Sequence, residues 1–380
     1  MRITVPVGTR PEVIKLAAVV TGLRAAGHEV RCIATGQHSD RRLAGDLFAA
    51  LGCAPDATWA LPDGEGPRVG ALLANAFDEL AAHRPDALLV LGDTYTAPLL
   101  AVAARRHGVG VVHLEAGLRS FNELSMEETN RRLMVALATL HLAPTELAAR
   151  FLAADGVDER RIRVVGNPVI DALRTSGVAR VAPEARSGVA VTAHRATNVD
   201  DPARLAELVR LVTALGARLG PVTFPLHPRT RDRLQAAGRL GELAAAPGVH
   251  VGDPLGYAEM LRLLAGSRLV VTDSGGLQEE ASYFGVPVVV LRRSTPRWEG
   301  VQSGAAVLAG LDAERVLGLA ERLATPAELA RIAALPCPYG DGRTVERVVH
   351  ALAEPGIAEL LAPGEPDFTA ADAPLPVVPA

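Results

Sequence analysis

The residues able to do chemistry in this chain stand at the ends of short apolar runs. In RLVVTDSGGLQEE (Arg268–Glu280), the β-branched stretch Leu269–Thr272 meets two glycines and then a helix-forming, acid-rich segment, a pattern of strand, tight turn and helix start. Asp273-Ser274 would cap that helix. Such a turn aims unpaired N–H groups and the positive end of a helix dipole at one point, where a phosphate would bind. Gly275 and Gly276 let a ligand approach the backbone closely. Glu280, one and a half turns in, could accept hydrogen bonds from a ribose diol. An ordinary β–α turn whose Ser merely caps would read the same way, because Gly-rich turns recur throughout α/β proteins.

Other apolar runs end in the same manner. Ligands of open α/β sheets bind outside the carboxyl ends of the strands, and those positions hold Arg10, Gln37, His38, Asp93, Glu115, His194, Arg195, His227 and Ser274. Acids gather in the first half; cations and phosphate-type donors gather in the second half and the first loop. This division suggests catalytic chemistry lining one domain and an anionic nucleotide held mainly by the other. Plainer readings stand beside several of these residues. Asp93, after a Gly, suits a helix cap. Glu127 and Glu128, near a helix start, suit solvated acids favoured by the dipole. Lys15, on the first helix, suits a solvated charge, and the lone loop histidines suit no role at all. Glu115 is harder to explain away, since it follows a buried strand and is not at a cap position.

The elements that must position these groups alternate. Strands are predicted at Arg2–Val7, Glu29–Thr35, Ala87–Leu91, Gly110–Leu114, Leu140–Ala143 and Ile162–Val165, with helices between them, including one near Asp40–Leu51 and one carrying Glu127, Glu128, Asn130 and Arg131. After a Gly- and Pro-containing linker at Ala172–Ser187, a second series follows: Gly188–Thr192, Val222–Leu226, Val249–Val251, Leu269–Thr272 and Pro287–Leu291, again with helices. The spacing predicts an α/β protein of two doubly wound Rossmann-like domains facing each other across a cleft. Residues 1–171 would form the domain carrying the carboxylates, and residues 172–354 the nucleotide-binding domain, with its final helices packing back on the first. Residues 355–380, rich in Pro, Ala and acids, read as a disordered or loosely packed tail.

Composition agrees with two cores: the chain has 380 residues, 49% of them apolar. The net charge of −4, with both signs interspersed, excludes the basic field that nucleic acid requires. The first residues lack a signal-peptide core and no run is long enough to span a membrane, so a soluble cytoplasmic protein is expected. Cys32, Cys53 and Cys337 are odd in number and widely separated, against a disulfide framework or a zinc site.

Eleven segments, running in order from residue 8 to about residue 350, carry a resemblance: GTRPEVIKLAAVV, TGQH, LGDTYT, HLEAGLRS, MEETNRR, LAPTE, VGNPVID, VTAHRATN, PLHPRT, VVTDSGGLQEEASYFGVPVVVLR and PYGDGRTVERVV. Together they strongly resemble the non-hydrolysing UDP-N-acetylglucosamine 2-epimerase family, whose members share the glycosyltransferase-B fold. The resemblance implies reversible conversion of UDP-GlcNAc to UDP-ManNAc through loss of UDP, a 2-acetamidoglucal intermediate and return of UDP. It implies that Asp93, Glu115 and Glu127 match the catalytic carboxylates. Arg10, Lys15, Arg131, His194, Ser274, Gly275, Gly276, Glu280 and Arg297 then match positions that hold or neutralise UDP or lie beside the sugar. Gln37 and His227 match positions linked to a second, regulatory UDP-GlcNAc, and a homodimer is implied as well. No redox cofactor is needed, because hydrogen moves as a proton, and no metal-ligand spacing is present. The chain departs from the family pattern at Thr295-Pro296-Arg297-Trp298-Glu299, where Thr-Glu-Arg-Pro-Glu is usual, and at Thr197. A hydrolysing epimerase that releases ManNAc, a glycosyltransferase of the same fold and a silent UDP-sugar-binding regulator are the competing readings.

Overall fold

The computed structural model describes residues 1–37, 48, 51–362 and 364. Its two sheets are wholly parallel. The first joins β1 (Arg2–Val7), β2 (Glu29–Ala34), β3 (Ala57–Thr58), β4 (Ala87–Leu91), β5 (Gly110–Leu114), β6 (Leu140–Ala143) and β7 (Ile162–Val164) in the order 3-2-1-4-5-6-7. The second joins β8 (Val189–Thr192), β9 (Val222–Pro225), β10 (Val249–Gly252), β11 (Leu269–Thr272), β12 (Val288–Val290) and β13 (Ala306–Leu308) in the order 10-9-8-11-12-13. Helices cover both faces of each sheet, so central strands are rich in apolar residues; ALLVL of β4 and LVVT of β11 are buried at every residue.

Both orders reverse direction at one place, between β1 and β4 in the first sheet and between β8 and β11 in the second. Loops leaving the two strands at such a switch point part to opposite faces and open a crevice. The loops that part are Gly8-Thr9-Arg10 and Gly92-Asp93 in one sheet, and Ala193-His194-Arg195 and Asp273-Ser274 in the other.

The chain crosses between sheets twice. Pro168–Thr175 forms a helix, capped by the Asn167 side chain accepting from the Val169 N–H and started by Pro168, with Val169, Ile170 and Leu173 buried. It packs against both the Arg10–Ala25 helix and the Gly275–Phe284 helix. The expected linker from Ala172 is therefore corrected: the chain stays helical to Thr175, because three buried apolar residues anchor the turn that the Gly- and Pro-rich composition concealed. The helix Thr344–Leu352 returns to the first sheet, and Val348, Ala351 and Leu352 join its core.

The tail expectation is corrected in part. Ile357–Leu361 is a helix whose Ile357 and Leu361 enter the same core, and Leu361 lies so close that a Cβ on Gly110 would meet its carbonyl oxygen at 2.6 Å. Residues 365–380, and the predicted helix near Asp40–Leu51 apart from Phe48 and Leu51, lie outside the described residues. The edge strand β13 was not foreseen; its three-residue run Ala306–Leu308 is too short for a periodic signal. Among the described residues no helix is long and apolar enough to cross a membrane.

Candidate active site

A cavity of about 440 Å³ opens between the two switch points. Arg10, Lys15, Asp93, Glu115, Glu127, Arg131, Ser274, Gly275, Gly276, Glu280 and Arg297 all line it.

On the first-sheet side, the loop after β1 is pinned by Glu12. Its Oε2 accepts from the Gly8 N–H at 2.6 Å and the Thr9 N–H at 3.0 Å, a capping box that also sets Arg10 at the helix start. Its Oε1 accepts from the Thr94 hydroxyl at 2.9 Å, tying this loop to the one carrying Asp93. Burial pushes the Glu12 carboxyl up to about 7, against the pull of the Gly8, Thr94 and Thr9 hydrogen bonds.

Asp93 follows Gly92, whose φ of 68° turns the chain sharply out of β4. The His113 Nε2 sits 2.8 Å from the Gly92 carbonyl, and Asn130 donates to the Asp93 carbonyl at 2.9 Å. The cap reading of Asp93 fails: its carboxylate pairs with Arg131, whose other arm donates to Glu128 at 2.9 Å. Burial alone would raise the Asp93 carboxyl, but Arg131, Arg297 and Lys15 outweigh it and hold the group below the usual carboxylate range.

Glu115 has φ of 61°, a left-handed conformation that a non-glycine residue adopts only at a cost of order 1 kcal/mol or more. It is 5% exposed and bonds the Lys15 ammonium. Here burial wins and the carboxyl is pushed up, against Lys15 and Arg297. Two carboxyl groups in one cavity are thus driven in opposite directions, the pattern that separates acid from base in an active site. Lys15 is not a solvated charge. It is 7% exposed and donates to Glu279 at 3.1 Å as well as to Glu115. Burial favours its neutral form, yet Glu115 and Glu279 together keep it a firm ammonium.

Of the paired acids on the next helix, Glu127 stands at the rim, accepting from the Ser125 hydroxyl at 2.5 Å with Arg195 3.8 Å away. Glu128 is buried, accepting from the Ser120 N–H at 2.7 Å and from Arg131. The solvated reading therefore fails for Glu128.

The second-sheet wall is the Ser274–Gly276 turn. Asp273 does not cap the helix as expected; its buried carboxylate accepts from the His194 N–H at 3.1 and 3.0 Å, the Arg195 N–H at 3.0 Å and Asn198 at 3.0 Å. It locks the two switch-point loops together. Ser274 occupies the N-cap position with extended backbone, but its side chain makes no capping bond. Its hydroxyl and the first N–H groups of the helix, which have no intrahelical acceptors, line the cavity beside the Arg297 guanidinium. That guanidinium lies 3.3 Å from where a Cβ on Gly275 would stand. Glu280, buried beside Glu279, is pushed up to about 8 by burial first and its neighbour second. Leu255, Tyr257 and Met260 supply an apolar border.

Three of the expected residues lie apart from this cavity. His194 lines an adjoining cavity of about 890 Å³ with Arg195, Arg292 and Glu127, of which Glu127 and Arg195 border both. Its ring is 5.2 Å from that of His227, which caps the helix Pro228–Ala236 by accepting from the Arg229 N–H at 3.2 Å. Gln37 accepts from the Thr96 hydroxyl at 2.6 Å, beside Gly8. His38 lies outside the described residues. Glu12, Asp273 and Glu279 were not foreseen as parts of the site. Only Glu12 left a trace in sequence, an acid three residues after Thr9 at a helix start. Among the described residues, no group of three or more His, Cys, Asp or Glu side chains could hold a metal ion.

Comparison with known proteins gives the lineage. A family model described as UDP-N-acetylglucosamine 2-epimerase matches residues 22–353. The UDP-N-acetylglucosamine 2-epimerase of Methanocaldococcus jannaschii is 33% identical over 367 residues, spanning 93% of this chain and 99% of that protein. The UDP-2,3-diacetamido-2,3-dideoxy-D-glucuronate 2-epimerase of Pseudomonas aeruginosa is 34% identical over 371 residues, spanning 93% of this chain and all of that protein. The crystal structure of the M. jannaschii enzyme in complex with UDP-GlcNAc and UDP superposes with a TM-score of 0.82 at 32% identity, covering 93% of this chain and 99% of that one. A family model matched along most of the chain, and relatives a third identical over nearly their whole lengths, make this chain a member of the UDP-N-acetylglucosamine 2-epimerase family, an isomerase with the two-domain fold of the glycosyltransferase-B type.

Proposed function

We propose that the chain interconverts UDP-GlcNAc and UDP-ManNAc without net hydrolysis. The observation that carries this reading is the facing of Asp93 and Glu115 with the Ser274–Gly276 turn and Arg297 across one cavity. The C2 proton of the sugar has no neighbouring carbonyl to acidify it, so direct deprotonation is too costly. In the proposed route the C1–O bond breaks and its electron pair leaves with UDP. A carboxylate takes the C2 proton, and the C–H pair becomes the C1=C2 double bond of a 2-acetamidoglucal. UDP then adds back at C1 while a proton is delivered to the other face of C2. Atoms and charge balance with no external oxidant or reductant.

The residues divide the work by their charge. Ser274, the helix N–H groups, Arg10 and Arg297 stabilise the leaving diphosphate. Asp93, held anionic, stabilises the oxocarbenium-like ring, and Glu115, with its raised proton affinity, carries the proton on one face. Asp93 or Glu127 serves the other. Incubation with UDP-GlcNAc in deuterated water tests the reading: label is expected at C2 in both epimers, with the nucleotide sugar conserved. Free sugar and UDP as the products would favour the hydrolysing reading, and absence of label would remove epimerisation.

A second substrate reading, a sugar that itself bears a carboxylate, is favoured by Arg292. This half-buried guanidinium borders the adjoining cavity with Arg195 beside it, and among the described residues it forms no ion pair. The P. aeruginosa relative is named for such a uronate. Running the same exchange assay on UDP-GlcNAc and on its C6-carboxylate counterpart decides between them.

A further inference from the structure

One buried carboxylate outside the assigned roles touches both halves of the proposed chemistry. Glu279, in the helix Gly275–Phe284, is 1% exposed and has both oxygens engaged. Its Oε2 accepts from Lys15 at 3.1 Å, and its Oε1 accepts from Asn167 at 3.0 Å and from Arg297 Nε at 2.8 Å. Lys15 belongs to the first sheet's leading helix and has Glu115 as its other partner. Arg297 belongs to the second and lies against Gly275 at the phosphate-type turn. Glu279 therefore shares one cation with the proton-carrying acid and another with the leaving-group site.

We infer that Glu279 is a positioning residue that links the two sites, sharing Lys15 with Glu115 and Arg297 with the turn, so that charge at the turn changes how firmly Glu115 holds its proton. The inference rests on the epimerase reading. A diphosphate at the turn draws Arg297 toward itself and leaves Glu279 less neutralised. Glu279 then pulls harder on Lys15, and Glu115 binds a proton more tightly at the moment the C2 proton must move. Charge gathering on the leaving group and a rise in the proton affinity of Glu115 therefore go together, coupled by one shared carboxylate over a short path. The groups facing Glu115 allow this. They are Lys15 from the first helix, Glu279 from the helix after β11, Arg297 ahead of the helix Trp298–Gln302, and the Gly92-Asp93 turn with Arg131 behind it. Among them Glu279 is the like charge that raises the Glu115 carboxyl, and Lys15 and Arg297 lower it.

The test is the pH profile of deuterium incorporation in Glu279→Gln. Removing the like charge and releasing both cations toward Glu115 should move the acid limb of kcat about one pH unit toward acid. UDP binding should persist, and Glu279→Asp, which keeps the charge, should restore part of the shift. Asn167→Ala, which removes a neutral partner of the same carboxylate, should lower thermal stability while leaving the limb in place. A lowered kcat at every pH with an unmoved limb would show that Glu279 serves the fold alone and would overturn the inference. Should Glu279→Gln not fold, proton uptake on UDP binding, read by calorimetry in buffers of different ionisation heat, replaces it: the wild type should take up more proton than Glu115→Gln, and equal uptake in the two overturns the inference. Absence of label in the wild type would overturn the epimerase reading and this inference with it; label in the wild type with an unmoved variant limb sinks the inference only.

Discussion

Asp93 and Ser274 line the same cavity although each stands at the switch point of a different sheet, Asp93 after β4 and Ser274 after β11. Asp93 is held by Arg131 on the first sheet's side, and the Ser274–Gly276 turn stands on the second's. Catalysis therefore belongs to the meeting of the two sheets, and each residue's role depends on the side it comes from.

Asp93→Asn and Glu115→Gln should each slow deuterium incorporation at C2 by about a hundred- to ten-thousand-fold, the range for loss of a positioned acid or base. Calorimetric titration should show UDP affinity close to wild type in both, because neither residue belongs to the turn. A parallel collapse of UDP binding would mean that these carboxylates hold the cavity open and do no proton chemistry.

Gly275→Ala should act in the opposite sense. The added Cβ meets the Arg297 guanidinium at 3.3 Å, tighter than ordinary contact, so the guanidinium must give way at the turn. UDP should bind about tenfold more weakly, a loss of about 1.4 kcal/mol measurable by titration. Unchanged affinity would place the diphosphate elsewhere.

Glu280 gives a signature in stability. Its carboxyl is raised from 4.5 to about 8 in the folded chain, so the folded state binds this proton more tightly than the unfolded one. The resulting stabilisation is present below about pH 4.5 and declines as pH rises through about 8. Glu280→Gln cannot titrate, whereas Glu12, raised to about 7, titrates alike in both proteins. The melting temperature of the ligand-free variant should fall less than that of the wild type between these limits, by differential scanning fluorimetry. Parallel curves would refute the burial of a chargeable Glu280.

Much of this was legible in the chain. β4 follows from the uninterrupted apolar run ALLVL closed by Gly-Asp, and β5 from GVVHL closed by Glu-Ala-Gly, and these closures mark two of the carboxylates. What stayed hidden depended on distant partners. Glu279 sits in QEE, a stretch that any solvated helix could contain, and its role exists only because Lys15, Asn167 and Arg297 converge on it. Asp273 looked like a cap because Asp precedes a helix; the loop after β8 claims its oxygens first. The strain at Glu115 is a backbone torsion, to which residue type gives no clue.

Trp298 is where the chain departs from the family pattern, and its indole N–H donates at 2.9 Å to the carbonyl of Arg119 in the opposite domain's HLEAGLRS loop. The neighbouring Glu299 makes a second bridge by accepting from Thr145. Trp298→Phe should lower unfolding free energy by about 1 kcal/mol, the net worth of one hydrogen bond, in denaturant titration. No change in stability would show that the indole contact is idle.

The most direct measurement follows the bridging oxygen. With UDP-GlcNAc carrying ¹⁸O between C1 and the β-phosphorus, the account predicts that the label scrambles into the non-bridging β-phosphate positions as C2 epimerises, and that Asp93→Asn suppresses both together. Epimerisation with the isotope still confined to the bridge would contradict departure of UDP, and with it the assignment of the Ser274–Gly276 turn as the leaving-group site.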